Sequence, residues 1–288
     1  MTTQNVLLTG TSTGFGRLTA LSLARRGHRV FATMRDPDGK NRERAAALRA
    51  TPGIEVLALD VTDDASVDAA VATALRAAGH LDAVVNNAAY ATVGLSETIT
   101  PAQVLRMFDT NVVGIQRVNR AVLPAMRERR SGLLVHVSSA VGRIVLPVIG
   151  PYAATKFAVE ALADGYRYEL KACGVEVAVV QPGAYPTELG SSDPAGDDQA
   201  RAAGYGPLAG ALQGFIARTQ AARTRPDAPD PQQVADALVA LIESPAGQRP
   251  ARVYVDAQNM PFTPRLNEAH AQVQRELLTA SGMGTLAD

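Results

Sequence analysis

Short β-branched runs alternate along this chain with longer Ala/Leu/Arg stretches of helical period, and that alternation constrains the fold more than any other feature. Parallel strands need a long crossover between them, and helices supply it. Runs at Val6–Thr9, Arg29–Thr33, Glu55–Leu59, Ala83–Asn86, Gly132–Val137, Glu176–Gln181 and Arg252–Val255 are predicted strands. Several are apolar almost throughout, as strands are when helices cover both faces of their sheet. Helices are predicted at Gly14–Arg26, Asp64–Ala77, Pro101–Arg130, Pro151–Ala172 and Pro231–Ile242. The implied architecture is α/β and doubly wound: a seven-stranded, mostly parallel sheet with helices on both faces. No repeat, coiled-coil pattern or linker divides the 288 residues, so a single domain is expected.

Two segments interrupt the alternation. Residues 183–230 are rich in Pro, Gly, Ala and Asp, with helical spacing near Leu208–Arg223, and the tail beyond Pro261 has a helical stretch over Arg265–Ala280. Long connections of this kind commonly act as lids, and 183–230 and the 261–288 helical extension are expected to fold over a substrate site. The balance of 28 basic and 28 acidic residues gives no field favouring nucleic acid or an anionic membrane. No stretch is apolar for the roughly 18 residues a spanning helix needs, and MTTQNVLLTG lacks secretory character. The one cysteine, Cys173, fits a reducing compartment, and a cytoplasmic location is expected. His28, His80, His136 and His270 are scattered without metal-ligand spacing, so no metal is expected.

The first strand runs directly into Gly10-Thr11-Ser12-Thr13-Gly14-Phe15-Gly16, and a helix follows. Glycines in such a turn let the backbone bend sharply and approach a pyrophosphate closely. The helix N-terminus adds unpaired N–H groups and partial positive charge. The spacing is Gly-x-x-x-Gly-x-Gly and not Gly-x-Gly-x-x-Gly, and an ordinary structural turn is the alternative. A P-loop is excluded, since no Gly-x-x-x-x-Gly-Lys-Ser/Thr occurs. A nicotinamide dinucleotide is the better ligand, held by Gly10, Ser12, Thr13, Gly14, Phe15 and Gly16.

Tyr152 and Lys156 are four residues apart in a predicted helix and so share a face. A tyrosine near its ordinary pKa of about 10 is a poor base at neutral pH, and a nearby ammonium favours its phenolate. In the reducing direction the same phenol protonates a developing alkoxide. Upstream, a strand ends in Ser138-Ser139 at the carboxyl edge of the sheet, where doubly wound folds bind ligands. A hydroxyl there either polarises a carbonyl or simply caps the strand end. Asn111 lies inside a helical pattern that does not favour asparagine, where it holds a water or bends the helix.

Together these residues resemble the short-chain dehydrogenase/reductase family in its non-extended form, over roughly residues 5–190. The resemblance implies a Rossmann-like fold and hydride transfer between nicotinamide and a carbonyl or alcohol. Thr9-Gly10 through Gly16 resembles the family's cofactor turn. Asp60-Val61 resembles the pair meeting adenine, and Asn86-Asn87-Ala88-Ala89 the segment beside the adenosine ribose and central sheet. Asn111, Ser139, Tyr152 and Lys156 match the catalytic tetrad, with Ser139 thirteen residues before Tyr152. Pro182-Gly183-Ala184-Tyr185-Pro186-Thr187 resembles the motif at the nicotinamide end. In that mechanism Tyr is the acid/base, Ser orients the substrate oxygen, Lys holds ribose hydroxyls and lowers the Tyr pKa, and Asn supports a water. Ala89 departs from the family's usual glycine.

The second strand ends Thr33-Met34-Arg35-Asp36, with Met34 at the position where a carboxylate would select NAD. Arg35 suits a 2′-phosphate, assisted by Ser12, so NADP is expected; NAD is the alternative if Asp36 meets the ribose. Ile144 to Ile149, with Tyr90, Val93, Tyr185 and Leu189, forms an apolar surround, and no Arg or Lys points to an anionic substrate. An apolar ketone, aldehyde or secondary alcohol of steroid- or retinoid-like bulk is expected, since the sequence is nearest in look to hydroxysteroid and retinol dehydrogenases. The resemblance also implies a homodimer or homotetramer packed through the helices predicted at Pro101–Arg130 and Pro151–Ala172. A non-catalytic dinucleotide-binding redox sensor is the alternative function.

Overall fold

The structure, a computed structural model, describes residues 2–189, 195–222, 225–256 and 261–286. Its strands are β1 (Asn5–Leu8), β2 (Arg29–Met34), β3 (Ile54–Ala58), β4 (Ala83–Asn86), β5 (Gly132–Val137), β6 (Val175–Pro182) and β7 (Arg252–Val255). Its α-helices are α1 (Gly14–Arg25), α2 (Arg42–Arg49), α3 (Asp64–Ala78), α4 (Pro101–Phe108), α5 (Gly114–Arg129), α6 (Gly150–Leu170), α7 (Pro207–Ala222), α8 (Gln232–Glu243) and α9 (Phe262–Ala280). The strands form one seven-stranded sheet in the order β3-β2-β1-β4-β5-β6-β7. Every neighbouring pair is parallel, so all carboxyl ends share one edge. The chain reverses direction between β1 and β4, the crevice where doubly wound sheets take ligands.

Alternation along each strand divides the core in two. Val6, Leu8, Val30, Ala32, Val85, Val135 and Val180 pack with Leu23 of α1 and Leu238 and Ile242 of α8. Leu7, Phe31, Val84, Leu134 and Val179 pack on the other face with Val67 and Val71 of α3, Val118 and Val122 of α5, and Ala163 of α6. These residues are almost wholly buried, each large one gaining about 1.5–3 kcal/mol from leaving water.

Helix α2 was not among the expected elements. Only its Ala45 and Leu48 are buried, so its apolar stripe is too thin to read by period. The helix expected over Pro101–Arg130 is interrupted by a π-helical turn, Asp109–Val113, separating α4 from α5. Asn111 sits in that turn. Both late segments are helical, as α7 and α9.

Candidate active site

The glycine turn is shaped for close approach. Gly10 has φ +71 and Gly14 φ +53, in the left-handed region glycine enters most readily. A Cβ on Gly10 would stand 2.8 Å from the Ala88 Cα. Thr9 Oγ1 accepts from the N–H groups of Asn87 and Ala88, each at 3.0 Å, while Asn87 Nδ2 donates to the carbonyls of Thr9 and Gly10 at 2.9 and 3.0 Å. Asn87 thereby holds the turn against the end of β4. At the start of α1, Thr13 provides no side-chain cap and the first turn has no acidic residue. Its N–H groups and the Ser12 and Thr13 side chains are left for an anionic phosphate at the cleft, so this turn fits a dinucleotide pyrophosphate.

Beyond β2, Asp36 is not among the residues lining the cleft, whereas Asp38 and Glu43 are. Asp36 adopts φ 47, and its Oδ2 accepts from the Lys40 backbone N–H at 2.8 Å, folding the carboxylate into its own turn. Met34, Arg35, Lys40, Arg42 and Arg44 line the cleft beside Asp38 and Glu43. Arg44 pairs with Glu188 at 2.9 Å across the groove. Among the described residues, the side chains of Arg35, Lys40 and Arg42 have no hydrogen-bond or ionic partner. Asp60 Oδ1 accepts from the backbone and hydroxyl of Thr62 at 3.0 and 2.8 Å, fixing the turn before α3, and Asp60 and Val61 face the cleft.

The candidate catalytic residues gather where β5, the π-helical turn and α6 meet. Asn111 is buried: its Oδ1 accepts from the Tyr90 N–H at 2.7 Å, and its Nδ2 donates to the Tyr90 carbonyl at 2.8 Å and to Thr155 Oγ1 at 3.0 Å. Thr155 in turn donates to the Tyr152 carbonyl at 2.7 Å. Asn111 thus sits where the helical run changes to π-helical hydrogen bonding. The π-helical turn brings Asn111 onto both the loop after β4 and the helix carrying Tyr152, as local π turns often do at functional sites.

Lys156 is 3% exposed, donates from Nζ to the Val137 carbonyl at 2.9 Å, and lies 5.7 Å from the Tyr152 ring centroid. Burial pulls its ammonium down to about 8, with Glu160 acting in the opposite direction. Ser139 caps the short turn Ala140–Gly142, accepting from the Val141 N–H at 3.3 Å and donating to the Pro182 carbonyl at 3.4 Å. Both bonds are long and easily exchanged for a ligand oxygen. Ser138 has its hydroxyl buried without a partner among the described residues. Ser139, Tyr152 and Lys156 all face the same cleft. His136 is fully buried, and loss of hydration pushes it down to about 4, so it stays neutral and packs.

A continuous cleft of about 2290 Å³ runs from Arg35 to the catalytic residues. Of the residues expected to contact the cofactor, Gly10, Ser12, Thr13, Gly14, Phe15, Arg35, Asp60, Val61, Asn87, Ala88, Ala89, Pro182, Gly183, Tyr185 and Thr187 line it. Gly16, expected to hold the dinucleotide, and Asn111, matched to the tetrad, are not among the residues lining the cleft. A Cβ on Gly16 would stand 2.3 Å from the Gly10 carbonyl oxygen, so Gly16 serves the packing of α1 under the turn. Tyr185 lines the cleft and also anchors its loop. Its hydroxyl donates to Gln233 Oε1 at 2.9 Å and its ring meets Phe15 edge-on at 5.8 Å.

Sequence reasoning expected the segments 183–230 and 261–288 as cover but named none of the cleft-lining side chains on α7 and α9. Phe215, Ile216, Arg218 and Thr219 of α7 and Phe262, Thr263, Arg265 and Leu266 of α9 form this cover. Arg218, Arg225 and Arg265 also line the cleft, positions the sequence reading did not single out. Position along a segment of unknown path gave no signal for them; only the outward spacing of Phe262 and Leu266 hinted at an exposed apolar face.

Comparison with known proteins agrees with this geometry. The profile of the short chain dehydrogenase family matches residues 4–198. An uncharacterized oxidoreductase of Bacillus subtilis, YusZ, is 34% identical over 82% of this chain and 83% of its own. A 3-ketodihydrosphingosine reductase of Bacteroides thetaiotaomicron is 36% identical over 65% of this chain and 66% of its own. The crystal structure of a short-chain dehydrogenase from Streptomyces avermitilis superposes with a TM-score of 0.73 at 29% identity, covering 97% of this chain and 96% of that one. The chain belongs to the short-chain dehydrogenase family and is an oxidoreductase that uses a nicotinamide dinucleotide on CH–OH and C=O groups.

Proposed function

We propose that the protein is an NADP(H)-dependent carbonyl reductase or secondary-alcohol dehydrogenase acting on an apolar, bulky substrate of hydroxysteroid- or retinoid-like size. The observation that carries this reading is the placement of Tyr152, the buried Lys156 and Ser139 on one cleft with the uncapped glycine turn. Bound nicotinamide supplies or accepts the hydride. Ser139 Oγ donates to the substrate oxygen in place of the Pro182 carbonyl, and the Tyr152 phenol gives that oxygen its proton as negative charge develops. The Lys156 ammonium favours the phenolate left behind. Asn111 holds Tyr90 and Thr155, and through them the approach of the two walls.

The preference for NADP is supported by the unpaired Arg35, Lys40 and Arg42 and by the turned-in Asp36. Arg35→Asp should lower kcat/KM with NADPH by about a hundredfold and with NADH by far less. Equal loss with both cofactors in steady-state kinetics would overturn the assignment. The apolar substrate reading draws support from Leu146, Val148, Phe215, Ile216 and Leu266 around the chamber, and from the relative named for reducing 3-ketodihydrosphingosine.

Residues 183–230 act as the substrate lid. The near part is fixed to α4, where Gln103 Oε1 accepts from the Asp197 N–H at 2.9 Å, and to the turn Ser96–Thr98 before it, where Arg201 pairs with Glu97 at 2.8 Å. Helix α7 then borders the cleft. The protein works as a cytoplasmic homodimer or homotetramer, a reading supported by exposed Leu105, Val113 and Phe157 on the helices expected to pair. No described helix is long and apolar enough to cross a membrane.

A panel of carbonyls and alcohols, followed by nicotinamide absorbance with both cofactors, tests the activity. Tyr152→Phe should lose turnover by about a thousandfold while NADPH binding persists. Undiminished reductase activity in that variant sinks the mechanism, and cofactor binding without turnover in the wild type favours the redox-sensor alternative.

A further inference from the structure

Helix α9 lies outside the matched family region of residues 4–198, and its two faces differ in kind. Phe262, Arg265, Leu266 and Ala269 face the cleft. Thr263, Asn267, His270, Gln274 and Leu278 recur at helical spacing and are each buried or half-buried. A helix docked by apolar packing alone would carry Leu or Val along that stripe. Here four of those five residues are polar, and Asn267 among them is held by three side-chain hydrogen bonds.

What they meet is an ionic array under the catalytic helix. Glu160 and Asp164 of α6 pair with Arg252 of β7 at 2.9 and 2.6 Å, and Arg143 approaches Glu160 to 3.2 Å. Gln181 of β6, fully buried, donates from Nε2 to Glu160 Oε1 at 2.9 Å. Asn267 closes this array from α9. Its Nδ2 donates to Gln181 Oε1 at 2.7 Å, and its Oδ1 accepts from Gln181 Nε2 and from Arg143 Nε, each at 3.2 Å.

Each of these partners adjoins the chemistry. Gln181 immediately precedes Pro182-Gly183, Arg143 follows the turn that Ser139 caps, and Glu160 lies one helical turn beyond Lys156. In a buried setting, polar groups that satisfy one another fix geometry, and removing one leaves the others unpaired.

We infer that Asn267 is a positioning residue for the reaction, holding the α9 wall at a set distance from Ser139 and Tyr152 so that the bulky apolar part of the substrate is seated against Phe262 and Leu266. The inference rests on the carbonyl-reductase reading above. A small carbonyl needs only Ser139 and Tyr152, whereas a bulky one needs the wall as well.

The test compares decalone with propanal in the full-length enzyme and in Asn267→Ala. NADPH affinity, read from nicotinamide fluorescence, should stay within about twofold, because the array lies behind the cofactor groove and not in it. The KM for decalone should rise about tenfold, the order set by lost hydrogen bonds to a charged partner, while kcat/KM for propanal changes by less than about threefold. Arg143→Lys keeps a charge beside Glu160 but loses the Nε donor, and should shift decalone KM in the same direction. It carries the comparison if Asn267→Ala fails to bind NADPH. An unchanged decalone KM, or equal loss with both substrates, overturns the inference. Wild-type enzyme that reduces neither carbonyl overturns the activity reading, and is told apart because it appears without any substitution.

Discussion

Between the glycine turn and helix α7 the same cleft passes from one kind of construction to another. A Cβ at Gly16 would lie 2.3 Å from the Gly10 carbonyl, whereas at Gly210 in α7 it would meet no atom within 4 Å. Asn87, Thr9 and Asn111 each make several hydrogen bonds within the cofactor and catalytic walls. No described residue of α7 is buried, and Leu208 and Phe215 stand half in solvent. The cofactor side is therefore fixed by backbone contact before any ligand arrives. The cover keeps apolar surface in water, which a substrate can bury. One side is built to hold a constant molecule and the other to accept variable bulk.

Gly16→Ala is the strongest way to break this contrast. The added methyl must displace both the Gly10 carbonyl and the Asn87 amide, which are already committed to the turn. A destabilisation of about 3 kcal/mol is expected, with NADPH affinity falling at least about tenfold. Thermal unfolding and cofactor titration measure both. A variant as stable as wild type would show that the turn yields more easily than its contacts imply.

Lys156→Met sharpens the comparison at the catalytic wall. Burial holds the Lys156 ammonium at about 8 against an ordinary 10.5, so between those values the unfolded chain keeps a proton that the folded chain has released. Stability should consequently rise with pH across that window, since the unfolded state binds more protons there. Met removes the penalty of a buried ammonium. The variant should be about 1–2 kcal/mol more stable at neutral pH, lose the rise above pH 8, and lose turnover by about a thousandfold. Denaturant melts at several pH values check the first two. A variant less stable than wild type at neutral pH would mean the Val137 hydrogen bond outweighs the desolvation.

The same contrast explains what the sequence made legible. Strand runs such as Leu133–Val137 are apolar because helices cover both faces, so their period announces the sheet. The candidate catalytic residues could be proposed because chemistry constrains both their type and their spacing. Helix α2 escaped notice because only Ala45 and Leu48 turn inward, too few to outweigh the arginines around them. The π-helical turn at Asn111 escaped as well, since Met107, Asn111, Ile115 and Val118 continue an inward stripe across the interruption. The cover was visible only as a segment. Which of its side chains reach the cleft depends on Gln103, Arg201 and Asn267 tying distant parts together, and no local pattern reports that.

The smallest effect belongs to the cover itself. Phe215 is 36% exposed on α7 and faces the cleft beside Ile216 and Thr219. Phe215→Ser removes little buried surface from the free protein, so stability should change by no more than about 0.5 kcal/mol. In the complex the same ring would lie against the substrate, and its loss should raise KM for a bulky apolar ketone about fivefold, on the scale of a partly buried aromatic contact. The kcat should hold, because Phe215 touches neither Ser139 nor Tyr152 by any described hydrogen bond or ring contact. Thermal melts and saturation kinetics with decalone measure the two quantities separately. A large loss of stability would place Phe215 in the core instead, and erase the distinction between a side that is packed in advance and one completed by its ligand.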